Sequence, residues 1–180
     1  MRPHRRAGLF LDRDGVINFD HGYVHKIQDF EFIPGIFDLV RAANYSGFVV
    51  VVITNQAGIG RGYYTEQDFL FLRDWMCQRF IERNAQIDDV FYCPFHPIYG
   101  IGKYKMDSSS RKPGPGMILD AIKKHNIDPS KSLLIGDKKS DLAAGKAAEI
   151  QRNILFSKES TEENDMQTIG SLFDAIPLLG

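Results

Sequence analysis

The chain has 180 residues, 43% of them hydrophobic and 25% charged, with a net charge of −1. That length suits one compact domain with a sizeable core. The near-neutral balance and a pI near 6.5 argue against a nucleic-acid surface. No apolar run approaches the roughly twenty residues of a membrane span.

In chain order, Arg2, Arg5 and Arg6 read as a solvated tail. No signal-peptide core follows them, because Gly8-Leu9-Phe10-Leu11 is short enough to be a buried strand. It ends in Asp12-Arg13-Asp14-Gly15-Val16, two acids in i, i+2 spacing that project from one side of an extended strand. Such a pair suits a metal site, a general acid/base pair, or both. Pro34-Gly35 opens a helix over about 35–46, which Gly47 closes. A second strand, about 48–53, runs into Thr54-Asn55-Gln56. Thr65 with Asp68 forms a capping box for a helix reaching about Arg83. Its Phe69, Leu72, Met76 and Phe80, with Trp75 beside them, read as core packing. Asp89-Val90-Phe91-Tyr92 is a third strand, followed by an irregular segment over 94–113, long enough to be functional or mobile.

A helix is expected over 115–125, a strand over 132–135 and a helix over 139–148. Arg111-Lys112-Pro113 precedes the first of these, and Gly136-Asp137-Lys138-Lys139-Ser140-Asp141 follows the strand. Ile154-Leu155-Phe156 closes the core as a short strand. Thr161 to Gln167 reads as a polar surface loop, and Ser171 caps a final helix, within about 168–178, that Pro177 ends. Alternating strands and helices make this an α/β fold with a mostly parallel sheet and helices on both faces. Cys77 and Cys93 cannot build a disulfide framework, which makes a reducing cytoplasm the default. Three strands ending in acids or a hydroxyl, with a lysine ahead of a helix, suit a phosphate and a divalent cation held together.

Those motifs resemble the haloacid dehalogenase superfamily and, within it, the D-glycero-D-manno-heptose 1,7-bisphosphate phosphatases. Asn18-Phe19-Asp20-His21-Gly22-Tyr23-Val24-His25 looks like that family's substrate loop, and Thr54 to Gly62 like its second motif. The likeness runs from about Leu9 to Gly145 and implies a single Rossmann-like domain with a core over about 7–156 and no cap domain. It implies Asp12 as nucleophile and Asp14 as acid and base. Mg²⁺ would be held by Asp12, Asp137 and the Asp14 backbone carbonyl, with Asp141 orienting the metal site from behind. Thr54 and Lys112 would stabilise the phosphoryl group. Substrate contacts would come from Arg13, Asp20, His21, Gly22, Tyr23, Asn55, Gln56, Ala57, Arg111 and Lys138, and Arg61 is a further phosphate candidate. The expected reaction removes the C7 phosphate from the heptose bisphosphate, in precursor supply for a bacterial glycan. Histidinol-phosphate phosphatase is the enzymatic alternative, and an inactive sugar-phosphate binder is the alternative of another class. By analogy the chain is a monomer with a small-molecule sugar phosphate as partner, and no nucleic-acid or membrane partner is expected.

Two departures stand out. The family's structural zinc uses Cys-x-His and Cys-x-Cys, but the chain has Cys93-Pro94-Phe95 and Ser108-Ser109-Ser110. Cys93 and His96 alone do not close a tetrahedral site, so no structural zinc is expected. Ile98, Tyr99, Ile101 and Tyr104 are then expected to pack the loop, which phosphate would order through Arg111 and Lys112. Glu149 also stands where a helix-ending glycine is expected.

Overall fold

A computed structural model describes residues 5–159 and 166–180. The first strand, β1 (Gly8–Leu11), leads to α1 (Ile36–Tyr45), β2 (Val49–Asn55), a short turn of helix α2 (Ala57–Gly60) and α3 (Glu66–Ile81). There follow β3 (Asp89–Cys93), α4 (Gly116–His125), β4 (Leu133–Gly136), α5 (Lys139–Ala147), β5 (Arg152–Phe156), β6 (Gln167–Ile169) and a 3₁₀ helix over Leu172–Leu179. The sheet order is β3-β2-β1-β4-β5-β6, and each adjacent pair is parallel. That is the order of a doubly wound fold, whose strand sequence reverses at β1.

The two faces of the sheet are legible residue by residue. Leu9, Leu11, Val50, Val52, Leu133 and Ile135 join one core cluster, which also holds Leu39 of α1, Met76 of α3 and Leu172. Phe10, Val51, Ile53 and Leu134 join the other, with Met117 of α4 and Leu142 of α5. Both faces are covered, so β1 and β2 need apolar residues at successive positions rather than at alternate ones.

The expected α/β fold with a parallel sheet is present, every adjacent strand pair being parallel. The expected layout needs three corrections. The second strand continues through Thr54 and Asn55, so these residues lie in the sheet instead of beyond it. Gln167 opens a sixth strand rather than closing a polar loop; residues 161–165 of the expected loop lie outside the described residues. Pro177 sits inside the last helix, which is 3₁₀ and packs against α1. The Thr65–Asp68 capping box is present, and Phe69, Leu72, Met76 and Phe80 are all buried.

Glu149 adopts φ +60°, the left-handed conformation that glycine favours. Its N–H bonds the Lys146 carbonyl at 3.0 Å, and the Ile150 N–H reaches back to Gly145 at 2.9 Å. These two bonds form a Schellman closure of α5. The chain keeps the cap geometry and carries the strain of a side chain there. Glu149→Gly is expected to add about 0.5–1 kcal/mol of stability. Thermal unfolding should show Tm about 1–4 °C higher; a lower Tm would mean that the Glu149 side chain stabilises the cap by another route.

Candidate active site

Leu11 is in register with Val52 on one side and Ile135 on the other, so Asp12, Thr54 and Asp137 emerge from neighbouring strand ends. The Asp12 N–H continues the ladder to the Ile135 carbonyl at 3.1 Å. Gly15 then turns the chain with φ +91°, and a Cβ there would lie 2.2 Å from Asp137 Oδ2. Glycine is needed at this point for both conformation and room. A cleft of about 490 Å³ opens above these ends.

Lys112 is the electrostatic centre. Its ammonium meets Asp12 Oδ1 at 2.8 Å, Asp141 Oδ1 at 2.7 Å and the Ile53 carbonyl at 3.0 Å. All three of its donors are therefore engaged, and a phosphate oxygen reaching Lys112 must replace one partner. Asn55 holds the lysine's backbone in place, accepting from the Lys112 N–H at 3.0 Å and donating to its carbonyl at 3.1 Å. Burial alone would lower the lysine's pKa, but Asp12 and Asp141 outweigh that and hold it above its usual value. Burial pushes Asp12 up to about 7, with Lys112 pulling the other way, and pushes Asp137 up to about 6.

Asp12, Asp137 and Asp141 each offer an oxygen within 4.8 Å of the others. Among the described residues this is the one grouping of three or more potential metal ligands. An all-carboxylate set suits a hard divalent cation. Asp137 Oδ1 is buried without a hydrogen-bond partner, which also fits a metal ligand. Asp141 is already committed through both oxygens, one to Lys112 and the other to the Lys138 N–H at 3.0 Å. Its place is thus beside the metal position, holding Lys112 and the start of α5. Gly136 makes room for it, since a Cβ there would sit 2.2 Å from Asp141 Cβ.

Asp14 accepts at Oδ1 from Arg13 (2.9 Å) and Asn18 (3.0 Å), and at Oδ2 from Gln56 Nε2 (3.3 Å). Across the cleft, Asp20 meets Lys138 at 3.2 Å. Burial works against the Asp20 carboxylate, but the Gly22 N–H and Lys138 hold its pKa below the usual range.

Of the residues proposed from sequence, Asp12, Asp14, Asp20, Gly22, Tyr23, Asn55, Gln56, Ala57, Arg111, Lys112, Lys138 and Asp141 line the cleft. Arg13 does not. It is 2% exposed and packs its guanidinium 5.9 Å from the centroids of both Phe30 and Phe69. One of its nitrogens donates to the Val24 carbonyl at 2.6 Å. It is an internal strut between the loop over 18–25 and Asp14, with no surface left for a substrate. His21 turns outward to a separate depression, 3.6 Å from Glu31. Thr54 is buried and does not itself line the cleft; its Oγ1 accepts from Gln56, which does. Arg61 lies against Tyr99, 4.2 Å from the ring centroid. Tyr64 and Ser140 also line the cleft; neither stood in a spacing pattern that singles it out.

The segment over 94–113 is held differently from the expectation. Ile98, Tyr99 and Ile101 are exposed. Tyr104 does pack inward, and its hydroxyl donates to Glu66 Oε1 at 2.6 Å while Tyr92 donates to Oε2 at 2.8 Å. His96 Nδ1 accepts from the backbone of Ile98 and Tyr99, and Arg111 reaches the Phe95 carbonyl. These bonds, within the segment and to Glu66 of α3, hold the loop in the shape described.

Residues 109–175 match the HAD-hydrolase-like family model. A D-glycero-alpha-D-manno-heptose-1,7-bisphosphate 7-phosphatase of Burkholderia mallei is 53% identical over 152 residues, covering 84% of this chain and 80% of its own. The D-glycero-beta-D-manno-heptose-1,7-bisphosphate 7-phosphatase of Pasteurella multocida is 44% identical over 164 residues, covering 90% and 89%. Among solved structures, a HAD-like protein of Mesorhizobium loti superposes with TM-score 0.88 at 32% identity, covering 98% of this chain and 87% of that one. The D,D-heptose 1,7-bisphosphate phosphatase of B. bronchiseptica, complexed with magnesium and phosphate, shares the fold at TM-score 0.79 and 24% identity, covering 96% and 97%. Identity of this order across most of both partners makes the chain a member of the D-glycero-D-manno-heptose-1,7-bisphosphate 7-phosphatase family of HAD-like hydrolases.

Proposed function

We propose that the chain removes the C7 phosphate of D-glycero-D-manno-heptose 1,7-bisphosphate through a phosphorylated Asp12, with Mg²⁺ as its metal. The observation that carries this reading is the buried Asp12–Lys112–Asp141 array at the carboxyl end of β1, beside Asp137. Asp12, Asp137 and the Asp14 backbone carbonyl would hold the Mg²⁺, which supplies positive charge against the phosphate oxygens. That charge matters, because a carboxylate about 3.5 Å from a phosphate dianion is repelled by roughly 9 kcal/mol at an effective dielectric near 20.

An Asp12 oxygen attacks phosphorus while the bond to the sugar oxygen breaks, and Asp14 gives that oxygen its proton. Asp14, now ionised, takes a proton from water as the water attacks the same phosphorus. The bond to Asp12 breaks, phosphate leaves, and both aspartates return to their starting states. Lys112 offsets charge on the transferring group, and Thr54 offers a neutral donor. Arg111, with its planar fork, suits the phosphate that is retained. We extend the reading to a monomer in a reducing cytoplasm, consistent with Cys77 and Cys93 both being free. No helix among the described residues is long and apolar enough to cross a membrane. A zinc-free loop is supported by serines at 108–110 and by the Tyr104–Glu66 bond.

Phosphate release from both heptose bisphosphate anomers and from histidinol phosphate, with and without Mg²⁺, tests this. The expected result is Mg²⁺-dependent release of one phosphate per bisphosphate, leaving the C1 phosphate in place. Faster turnover of histidinol phosphate would favour the other enzyme. Bisphosphate binding without release would leave a sugar-phosphate binder.

A further inference from the structure

Tyr64 is 6% exposed and Gln56 2% exposed, and their side chains meet in a short hydrogen bond from the phenol to Gln56 Oε1. A phenol can donate or accept; here it donates to Oε1, in the amide orientation that turns Nε2 toward the Asp14 carboxylate. The two hydrogens on Gln56 Nε2 then go to Thr54 Oγ1 at 2.8 Å and Asp14 Oδ2 at 3.3 Å. Because Thr54 Oγ1 accepts here, its own single hydrogen is directed elsewhere and is free to donate. Asp14 Oδ1 is already taken by Arg13 and Asn18, so Gln56 settles the direction of the remaining oxygen. A reversed amide would set Oε1 against the Asp14 carboxylate and leave Thr54 without its donor.

The position of Tyr64 is itself built. A Cβ at Gly58 would lie 2.2 Å from the Tyr64 ring, so the ring rests on α2 only because residue 58 has no side chain. His25 stacks on the ring, centroids 4.8 Å apart and planes 6° from parallel. Burial pushes the Tyr64 hydroxyl well above its usual pKa, so it stays a donor.

We infer that Tyr64 is a positioning residue for phosphoryl transfer: through Gln56 it orients the proton-carrying oxygen of Asp14. The inference rests on the phosphatase reading above. Tyr64→Phe keeps the ring, its seat on Gly58 and the His25 stack, and removes the hydroxyl alone. With sugar phosphate, kcat is expected to fall about ten- to a hundred-fold, a part of what general acid catalysis contributes, with KM little changed. With an aryl phosphate, whose leaving oxygen needs no proton, the single-turnover rate of enzyme phosphorylation should stay near wild type. Wild-type kcat in Tyr64→Phe would overturn the inference, as would a rise in KM alone, which marks a substrate contact. An equal loss on both substrates would overturn it too, marking general damage to the site. An unaltered chain inactive on every substrate would overturn the phosphatase reading and this inference together.

Discussion

Asp12→Asn is expected to reduce turnover by at least about 10⁴-fold, as loss of a nucleophile does, while leaving the metal-free protein as stable as wild type at pH 8 or more so. The two effects come from one property of the side chain. Asp12 is 6% exposed, and its folded pKa near 7 lies far above the roughly 3.9 of an unfolded aspartate. Between those values the native state binds more protons than the unfolded chain, so stability falls as pH rises through the window. Asp137, pushed up to about 6, adds a slope of the same sign. The metal-free wild type should therefore lose Tm between pH 5 and pH 8. Asparagine does not titrate, so the variant's profile should be flatter, and Lys112 keeps Asp141 as its partner. Scanning calorimetry at both pH values, beside a phosphate-release assay, reads both effects. A variant several degrees less stable than wild type at pH 8 would mean that ionised Asp12 stabilises the fold. Wild-type turnover would mean that the nucleophile is another residue.

The fold is legible wherever burial leaves a local pattern, a continuous apolar run or a helical stripe. Val49 to Ile53 is buried on both sides of the sheet, and the Phe69–Phe80 stripe follows one helical face; both patterns are local and strong. Gln167–Ile169 escaped because three residues at a sheet edge bury only one side chain fully, too little for any period. Pro177 signals a stop because proline opposes an α-helix, yet the 3₁₀ segment over Leu172–Leu179 tolerates it.

In the site, Asp12 and Asp137 are legible because each directly follows an apolar strand, and Lys112 because it stands in a short motif four residues ahead of α4. Arg13 departs from its expected place for a physical reason. Sequence adjacency to two acids suggests the same pocket, but the guanidinium packs against Phe30 and Phe69 and meets Asp14 from inside the protein. The sequence suggests a substrate contact for Asn55, but its amide is spent on both backbone groups of Lys112, 57 residues away. Tyr64 carried no signal at all, because its role depends on the absence of a side chain at Gly58.

Lys112→Met should behave unlike Asp12→Asn, losing both activity and stability. Lys112 is 4% exposed and sits within 2.8 Å of two buried carboxylates. Methionine has a similar reach but no charge, so Asp12 and Asp141 would face each other unpaired, and the Ile53 carbonyl would lose its donor. Removing one partner of a buried ionic group costs about 3–5 kcal/mol, which at this chain length lowers Tm by roughly 6–20 °C. Turnover should fall by on the order of 10²–10³, the usual effect of losing a donor aimed at developing charge. The stability loss should shrink at pH 5, where protonation relieves Asp12, and it should shrink again in Lys112→Met/Asp12→Asn, which removes one of the facing charges. Turnover should return in neither case. A double-mutant cycle on Tm and kcat separates the two effects: additive stability losses would show that Lys112 and Asp12 do not compensate each other, and the electrostatic account of the site would fall with them.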